Sequence, residues 1–145
     1  MSACELCDGD GGRLVVRAAR WRVVRVPDAD FPAFYRVIWN AHAREFTDLA
    51  PLERAECMDA VARIERVLRD ELAPTKINLA SLGNVTPHLH WHVIARFDWD
   101  SRFPGPIWAQ PRREIGDPPA EARLALPLDE LDRAVAAALP AGPGE

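Results

Sequence analysis

The fold of this 145-residue chain is best predicted outward from one stretch, His88-Leu89-His90-Trp91-His92-Val93-Ile94. Histidines alternate with apolar residues, and this period of two is typical of a β-strand. Because successive side chains of a strand point to opposite faces, we expect His88, His90 and His92 to share one face. The apolar residues between them would face the core. The stretch therefore predicts a strand that gathers three of the chain's four histidines on a rigid element, where catalytic geometry is best held.

These histidines have two other interpretations. They could be surface polar residues on a half-exposed strand, although three at strict alternation in a chain with only one other, His42, argue against that. They could also be metal ligands, since histidine pairs separated by one strand residue bind zinc or iron. A metal site would require a carboxylate or another histidine nearby in space, and the sequence leaves that hypothesis open.

Five strands and one long helix are predicted around this stretch. Apolar residues recur at steps of three and four from Pro51 to Leu72, which predicts a helix that Pro74 ends. A turn at Gly83-Asn84 is expected between the last two strands. The strands are predicted at residues 14–16, 21–26, 34–39, 76–82 and 88–97.

The C-terminal part is predicted to be less regular. The segment from Pro104 to Pro119 is rich in proline and should lie on the surface without regular structure. Apolar residues from Leu128 to Leu139 predict a short final helix, followed by a mobile tail from Pro140 to Glu145. The element order predicts an α+β fold, a five-stranded antiparallel sheet with one long helix and a short C-terminal helix. We expect one domain over residues 1–118 and an extension over 119–145.

Composition narrows the class of function. With 48% hydrophobic and 28% charged residues and a net charge of −4, the chain has the composition of a soluble globular protein. No run of lysine and arginine suggests binding of long nucleic acid. No stretch approaches the roughly 20 apolar residues that span a bilayer, and the N-terminus lacks a secretory signal. Three cysteines are an odd and sparse count, which indicates a reducing, cytoplasmic setting.

The stretch from His88 to Ile94 resembles the signature of the histidine triad (HIT) family, in which three histidines alternate with apolar residues and two more apolar residues follow. The resemblance extends to Arg36–His42, which is similar to the strand leading to a histidine. Phe46–Leu49 is similar to the entry of the family's long helix, and Ile107-Trp108 to a tryptophan segment of bacterial members. It covers most of residues 4 to 110.

The resemblance implies a two-step displacement at a nucleotide. The middle histidine, His90, would attack the α-phosphorus and form a nucleotidyl-histidine, which water then releases. An imidazole with a pKa of about 6.5 is largely neutral at cellular pH and nucleophilic without a separate base. His92 would donate to the phosphate oxygens, and His88 would orient its neighbours. The implied substrate is a dinucleoside polyphosphate or a nucleoside phosphoramidate.

Further residues are carried over from the family as substrate-binding candidates. Asn78 and Asn84 look like amide residues that bond the phosphate or ribose, although Asn84 follows Gly83 and suits a turn equally well. Asp28 resembles an acidic residue that bonds the ribose hydroxyls, and Asp30 is the alternative.

The chain departs from the family pattern at two positions. Many members carry a serine or threonine three residues before the first histidine, where this chain has Val85, with Thr86 one step later. Ala95 replaces the proline that many members carry after the triad. These departures concern substrate choice and leaving-group assistance. The transferase branch of the family replaces the third histidine with glutamine, so His92 favours hydrolysis.

The pair Cys4-Glu5-Leu6-Cys7 suggests half of a zinc site. A redox role would require a strand and a helix around the pair, and residues 1 to 12 predict neither. The resemblance implies the remaining ligands, because zinc-bearing members add the histidines that match His42 and His88. Cys4, Cys7, His42 and His88 would then hold a structural zinc ion, with a pair free of metal as the alternative. Cys57 is predicted to be a small packing residue.

Two other functions stay open at this point. A nucleotidyltransferase would use the same intermediate with a phosphate or sugar-phosphate acceptor, and a zinc-containing nucleotide-binding protein would have only incidental catalysis. Family members commonly form dimers, so the resemblance also implies a homodimer.

Overall fold

The computed structural model describes residues 3–140 and contains one five-stranded antiparallel sheet. Its strands are β1 (Arg13–Arg17), β2 (Trp21–Arg25), β3 (Phe34–Trp39), β4 (Lys76–Ala80) and β5 (His90–Arg96), in the spatial order β1-β2-β3-β5-β4. Its α-helices are α1 (Glu5–Asp8), α2 (Pro51–Leu72) and α3 (Leu128–Ala138). Single 3₁₀ turns lie at Phe46–Asp48 and Ala120–Arg123. The α+β fold and its element types are confirmed, and the last strand in the chain lies inside the sheet between β3 and β4.

The long helix α2 has the bounds that the sequence predicts. Pro51 occupies the first helical turn, where no backbone N–H is needed, and Glu53 Oε1 accepts a hydrogen bond from the Ala50 N–H at 2.7 Å. At the other end Ala73 has a left-handed backbone with φ of 46°, and Pro74 follows. Proline cannot continue a helix, so α2 ends there.

The main core lies between one face of the sheet and the two longer helices. Fully buried side chains from the sheet, such as Val23 and Val37, meet Ile64 and Leu68 of α2. Leu131 of α3 belongs to the same core. Each such side chain contributes roughly 1.5–3 kcal/mol when removed from water. The boundary between a domain over residues 1–118 and an extension over residues 119–145 stays a prediction.

A polar contact fixes α3 to the sheet. The Asp132 carboxylate accepts hydrogen bonds from Arg25 at 2.9 Å and from the Tyr35 hydroxyl at 2.7 Å. Burial and the Asp132 carboxylate raise the pKa of Tyr35, so the phenol keeps its proton and donates it. The buried positive charge of Arg25 is thereby paired with the carboxylate of Asp132.

The opposite face of β2 and β3 is covered by the N-terminal segment, residues 4–12. Arg22, only 3% exposed, donates hydrogen bonds to three of its backbone carbonyls, those of Leu6, Gly9 and Asp10. Gly11 has φ of +87°, and a Cβ there would lie 2.6 Å from the Leu6 side chain. The segment contains the short helix α1, which the sequence did not predict. One turn is too short to be stable alone, and it forms because Arg22 donates hydrogen bonds to carbonyls of this segment.

The connection between β4 and β5 is longer than the predicted turn. β4 ends at Ala80, the partner of His92, and the loop of residues 81–89 follows. The chain nevertheless continues beside β3, because the Trp39 N–H donates to the Leu89 carbonyl and the Leu89 N–H to that of Ala43. His88 therefore precedes β5 and does not belong to it.

A buried ion pair organises the chain after β5. Arg96, 1% exposed, donates to the Asp100 carboxylate at 2.8 and 3.0 Å. The same guanidinium donates to Asn78 Oδ1 and to the Gly105 carbonyl, both at 2.8 Å. These bonds hold the proline-rich segment, which has no helix or strand from residue 104 to 119, as predicted. They also determine where Trp108 lies.

We expect Asp100→Asn to lower the free energy of unfolding by about 3–5 kcal/mol at pH 7, because it leaves the Arg96 charge buried without a counter-charge. Burial alone raises the pKa of Asp100, but the bonds from Arg96 and from two backbone N–H groups outweigh it, so the pKa lies below its usual value. Asp100 is thus ionised at pH 7.

Urea unfolding of wild type and variant measures this loss. Asp59→Asn is the matched control, because it removes a carboxylate from an exposed pair with Arg63 at 2.7 Å and should change stability far less. Equal losses in the two variants would contradict a special role for the buried pair.

Candidate functional site

The histidines of the sequence signature separate into two clusters. His90 and His92 lie on β5 with their ring centroids 5.0 Å apart. The ring of His88 instead lies 5.1 Å from that of His42. The alternation of the strand holds, since Leu89 and Val93 point into the core. The structure thus brings two of the three histidines into one cleft and places the third in a neighbouring cluster.

The tautomer of His90 is set by its own backbone. Its Nδ1 lies 2.6 Å from the carbonyl oxygen of His88, which can only accept a hydrogen bond. Nδ1 therefore carries the proton, and Nε2 has the free lone pair. Burial lowers the pKa of His90 more than this hydrogen bond raises it, and the nearby charge of Arg36 lowers it further. The ring is neutral at pH 7, the state that a nucleophile requires.

His92 is buried between two aromatic rings. Its ring centroid lies 5.3 Å from that of Phe34 and 5.5 Å from that of Trp108. Burial, with a smaller effect of the nearby His90 and Arg36, which disfavour a further positive charge beside them, lowers the pKa of His92 to about 4. Within residues 3–140 its Nδ1 has no hydrogen-bond partner. His92 is therefore a neutral imidazole at pH 7, with one N–H to donate.

A cleft of about 480 Å³ opens at these two histidines, a size that suits a small ligand. Its walls are the loop of residues 82–86, Trp108, Arg36 of β3 and Glu5 of α1. Neither Arg36 nor Glu5 is among the site residues that the sequence predicts. A signal for Arg36 was available, because it is a charged residue in an otherwise apolar strand.

Of the predicted substrate-binding residues, Asn84 lines the cleft. It follows Gly83, whose φ of +80° suits glycine at this turn. Val85, at the position of the family's hydroxyl residue, is 96% exposed and offers no hydroxyl. The hydroxyl of Thr86 donates to Glu5 Oε1 at 3.1 Å, which joins the loop to the N-terminal segment.

The other three candidates have contacts outside the cleft. Asn78 accepts the bond from Arg96 described above. Asp28 Oδ1 accepts the backbone N–H of Asp30 at 2.9 Å and that of Phe31 at 3.2 Å, which makes it a turn residue. The Asp30 carboxylate lies 3.4 Å from Arg102. None of the three lines the cleft as the structure describes it, and their role toward a substrate stays a prediction.

The predicted metal ligands form a second cluster. Cys4, Cys7, His42 and His88 place one ligand atom each within 4.8 Å of all the others. His88 Nδ1 lies 3.3 Å from Cys4 Sγ and 3.3 Å from His42 Nδ1, and Cys7 Sγ lies 3.5 Å from His42 Nδ1. A tetrahedral zinc ion needs ligand atoms about 3.3–3.8 Å apart. The cluster could bind a metal ion.

Local structure brings these ligands together. In α1 the Cys7 N–H donates to the Cys4 carbonyl at 3.1 Å, and this turn puts both thiols on one side. His88 Nε2 donates to the Trp39 carbonyl at 2.6 Å, which leaves the lone pair of Nδ1 for a metal. Burial lowers the pKa of His88, so the ring is neutral. Both of its nitrogens are engaged away from the cleft.

The apolar character of the helices bears on whether any of them could cross a membrane. Within residues 3–140, none of them combines the length and the apolar character that a bilayer demands.

Comparison with known proteins gives one consistent family. A HIT domain model matches residues 12–99. A histidine triad protein from Bradyrhizobium japonicum has a similar structure, with 27% identity, 89% of each chain covered and a TM-score of 0.67. One from Sinorhizobium meliloti is 26% identical over 94% of this chain and 93% of that one, with a TM-score of 0.68.

A zinc-bound histidine triad family protein from Mycobacterium smegmatis shares the fold at 18% identity, covering 94% of this chain and 92% of its own, with a TM-score of 0.60. No curated protein matches the chain.

Proposed function

Because this chain belongs to the HIT family, we propose that it is a nucleotide hydrolase in which His90 attacks the α-phosphate of a dinucleoside polyphosphate or a nucleoside phosphoramidate. The observation that carries the proposal is the hydrogen bond from His90 Nδ1 to the His88 carbonyl. It gives a buried, neutral imidazole whose Nε2 has a free lone pair beside a cleft large enough for a small ligand.

In the first step, Nε2 of His90 forms a bond to the α-phosphorus, and the bond from phosphorus to the leaving group breaks. The leaving group takes the electron pair and receives a proton from water. In the second step, a water oxygen attacks the same phosphorus and gives up its proton to the solvent, while the P–N bond breaks and its electrons return to Nε2. The N–H of His92 donates to a non-bridging oxygen in both steps.

A nucleotidyltransferase is the second candidate function. It would share the first step, with a phosphate or sugar phosphate replacing water in the second. The histidine at position 92, where the transferase branch has glutamine, favours hydrolysis. A nucleotide-binding protein without significant turnover would form no covalent intermediate at all.

We expect His90→Asn to abolish turnover of a fluorogenic adenosine phosphoramidate while nucleotide affinity stays largely intact, because only the attacking nitrogen is lost. His92→Asn removes one donor and should cost about 10²–10³ in rate. Turnover and affinity are measured for both variants and the wild type, with and without a chelator.

A His90→Asn variant that keeps more than about a tenth of the wild-type rate, above what loss of one donor allows, contradicts the covalent route. Mass spectrometry of wild-type protein mixed with substrate should find a nucleotide on His90. Product analysis with competing phosphate acceptors separates the hydrolase from the transferase.

We also propose that Cys4, Cys7, His42 and His88 hold a structural zinc ion. Two thiolates and two imidazole nitrogens at tetrahedral spacing are a ligand set that zinc prefers, and a protein of the same fold is zinc-bound. The ion would fasten the N-terminal segment to the chain just before the start of β5. His88 then serves the metal cluster and not proton transfer. Reduced thiols are required, in keeping with the cytoplasmic setting that the cysteine count predicts.

Purified protein should contain about one zinc per chain, and Cys4→Ser should lose the metal and lower the melting temperature. Cys57→Ala is the matched control, because Cys57 is a core-facing residue of α2 and is 1% exposed. It should keep the metal. Elemental analysis and thermal unfolding test this, and metal-free wild-type protein with the same melting temperature as Cys4→Ser would refute the zinc site.

A homodimer is the last part of the proposal, and it rests on the family resemblance. Light scattering at micromolar concentration should give about twice the chain mass of 16.2 kDa. A mass equal to that of one chain rejects the dimer.

A further inference from the structure

Arg36 is a positive charge that no carboxylate within residues 3–140 pairs directly: burial lowers its pKa, and the more distant carboxylate of Glu5 offsets only part of that shift. Its Nη1 donates to the Gly11 carbonyl at 3.1 Å, and its guanidinium lies 6.0 Å from the centre of the Phe34 ring. Its Nε is buried and has no hydrogen-bond partner within residues 3–140. In that part of the chain Arg36 forms no ion pair, whereas the buried Arg25 and Arg96 each have an aspartate partner.

The strand register places this charge next to the histidines. Arg36 on β3 and His92 on β5 are directly opposite partners, and side chains of such partners are neighbours on the same face. Arg36, His90 and His92 all line the same cleft. A phosphate held between the two histidines would therefore have the guanidinium as its neighbour.

Arg36 is also the only lysine or arginine among the residues that the structure describes as lining the cleft. The one carboxylate there, that of Glu5, accepts the hydroxyl of Thr86 and is not paired with Arg36. Removing a guanidinium from water without a partner is unfavourable. A ligand anion would remove that cost, and the planar fork of arginine matches phosphate oxygens.

We propose that Arg36 binds the phosphate adjacent to the one that His90 attacks, and so selects substrates with a phosphate chain over those whose leaving group is an uncharged amine. The inference rests on the proposed function for the position of the attacked phosphate. It assigns Arg36 as a specificity-determining residue and the cleft as a two-phosphate site. A single phosphate needs only His92 and the loop beside Asn84.

Titration calorimetry with two nucleotides tests this without turnover. The probes are AMP and adenosine 5′-(α,β-methylene)diphosphate, whose bridging carbon prevents hydrolysis between the phosphates. Wild-type protein should bind the diphosphate about 10–100-fold more tightly than AMP, the range for hydrogen bonds to a charged group. Arg36→Met should reduce that preference to about threefold or less, mainly by weakening the binding of the diphosphate.

Two further variants complete the design. Arg36→Gln removes the charge but keeps a donor for the Gly11 carbonyl, so it gives the answer if Arg36→Met does not fold. Arg44→Met is the matched control, because Arg44 is exposed and lines the neighbouring depression beside His42. It should keep the full preference, which separates local binding from the general charge of this surface.

The proposal is overturned if Arg36→Gln keeps the wild-type preference. It is also overturned if this variant weakens the binding of AMP and of the diphosphate equally, because Arg36 would then bind the attacked phosphate itself. The two proposals fail separately. A wild type that prefers the diphosphate but forms no nucleotidyl-histidine overturns only the hydrolase. A wild type that turns over the phosphoramidate through His90 but shows no preference overturns only the role of Arg36.

Discussion

The antiparallel pairing of β5 with β3 is the constraint on which the rest of the structure depends. It puts Ile38 opposite His90 and Arg36 opposite His92. Because side chains alternate along a strand, a slip of one residue would turn the histidines into the core and Val93 into the cleft. Burial on both faces of the sheet prevents such a slip, because α2 covers the core face, and the N-terminal segment and the chain around Trp108 cover the other face.

The chain just before β5 joins the two clusters. His88 contributes a ring nitrogen to the cluster of cysteines and histidines, while its backbone carbonyl accepts a hydrogen bond from the Nδ1–H of His90. One residue thus takes part in that cluster and sets the tautomer of the proposed nucleophile. The N-terminal segment adds a second connection, because Cys4 belongs to the cluster of cysteines and histidines and Glu5 next to it accepts the hydroxyl of Thr86 in the wall of the cleft.

The other wall of the cleft depends on long-range polar contacts. Trp108 lies against His92 in a segment without helix or strand. Such a segment has no regular backbone hydrogen bonds of its own to hold it in one position. The Arg96–Asp100 pair and its bond to the Gly105 carbonyl supply that order from inside the protein. A buried pair of this kind adds little net stability compared with an apolar core, but it specifies one position for the chain.

The sequence by itself determined the elements whose signals are local. Helix α2 and strand β3 have the predicted bounds, since proline, helical periodicity and β-branched residues act within a few positions. The shared face of His90 and His92 follows from alternation alone. The family also followed from a short signature.

Only the tertiary structure decided which residues surround the cleft. The side chain of His88 does not share the face of His90 and His92, because the pairing of β4 with β5 ends before it reaches residue 88. Asn78 accepts a hydrogen bond from Arg96, because that guanidinium is buried beside it. Arg36 enters the cleft because β5 returns to pair with β3 across the 50 residues between Trp39 and His90. Such contacts join residues far apart in the chain, and no pattern within a short window contains them.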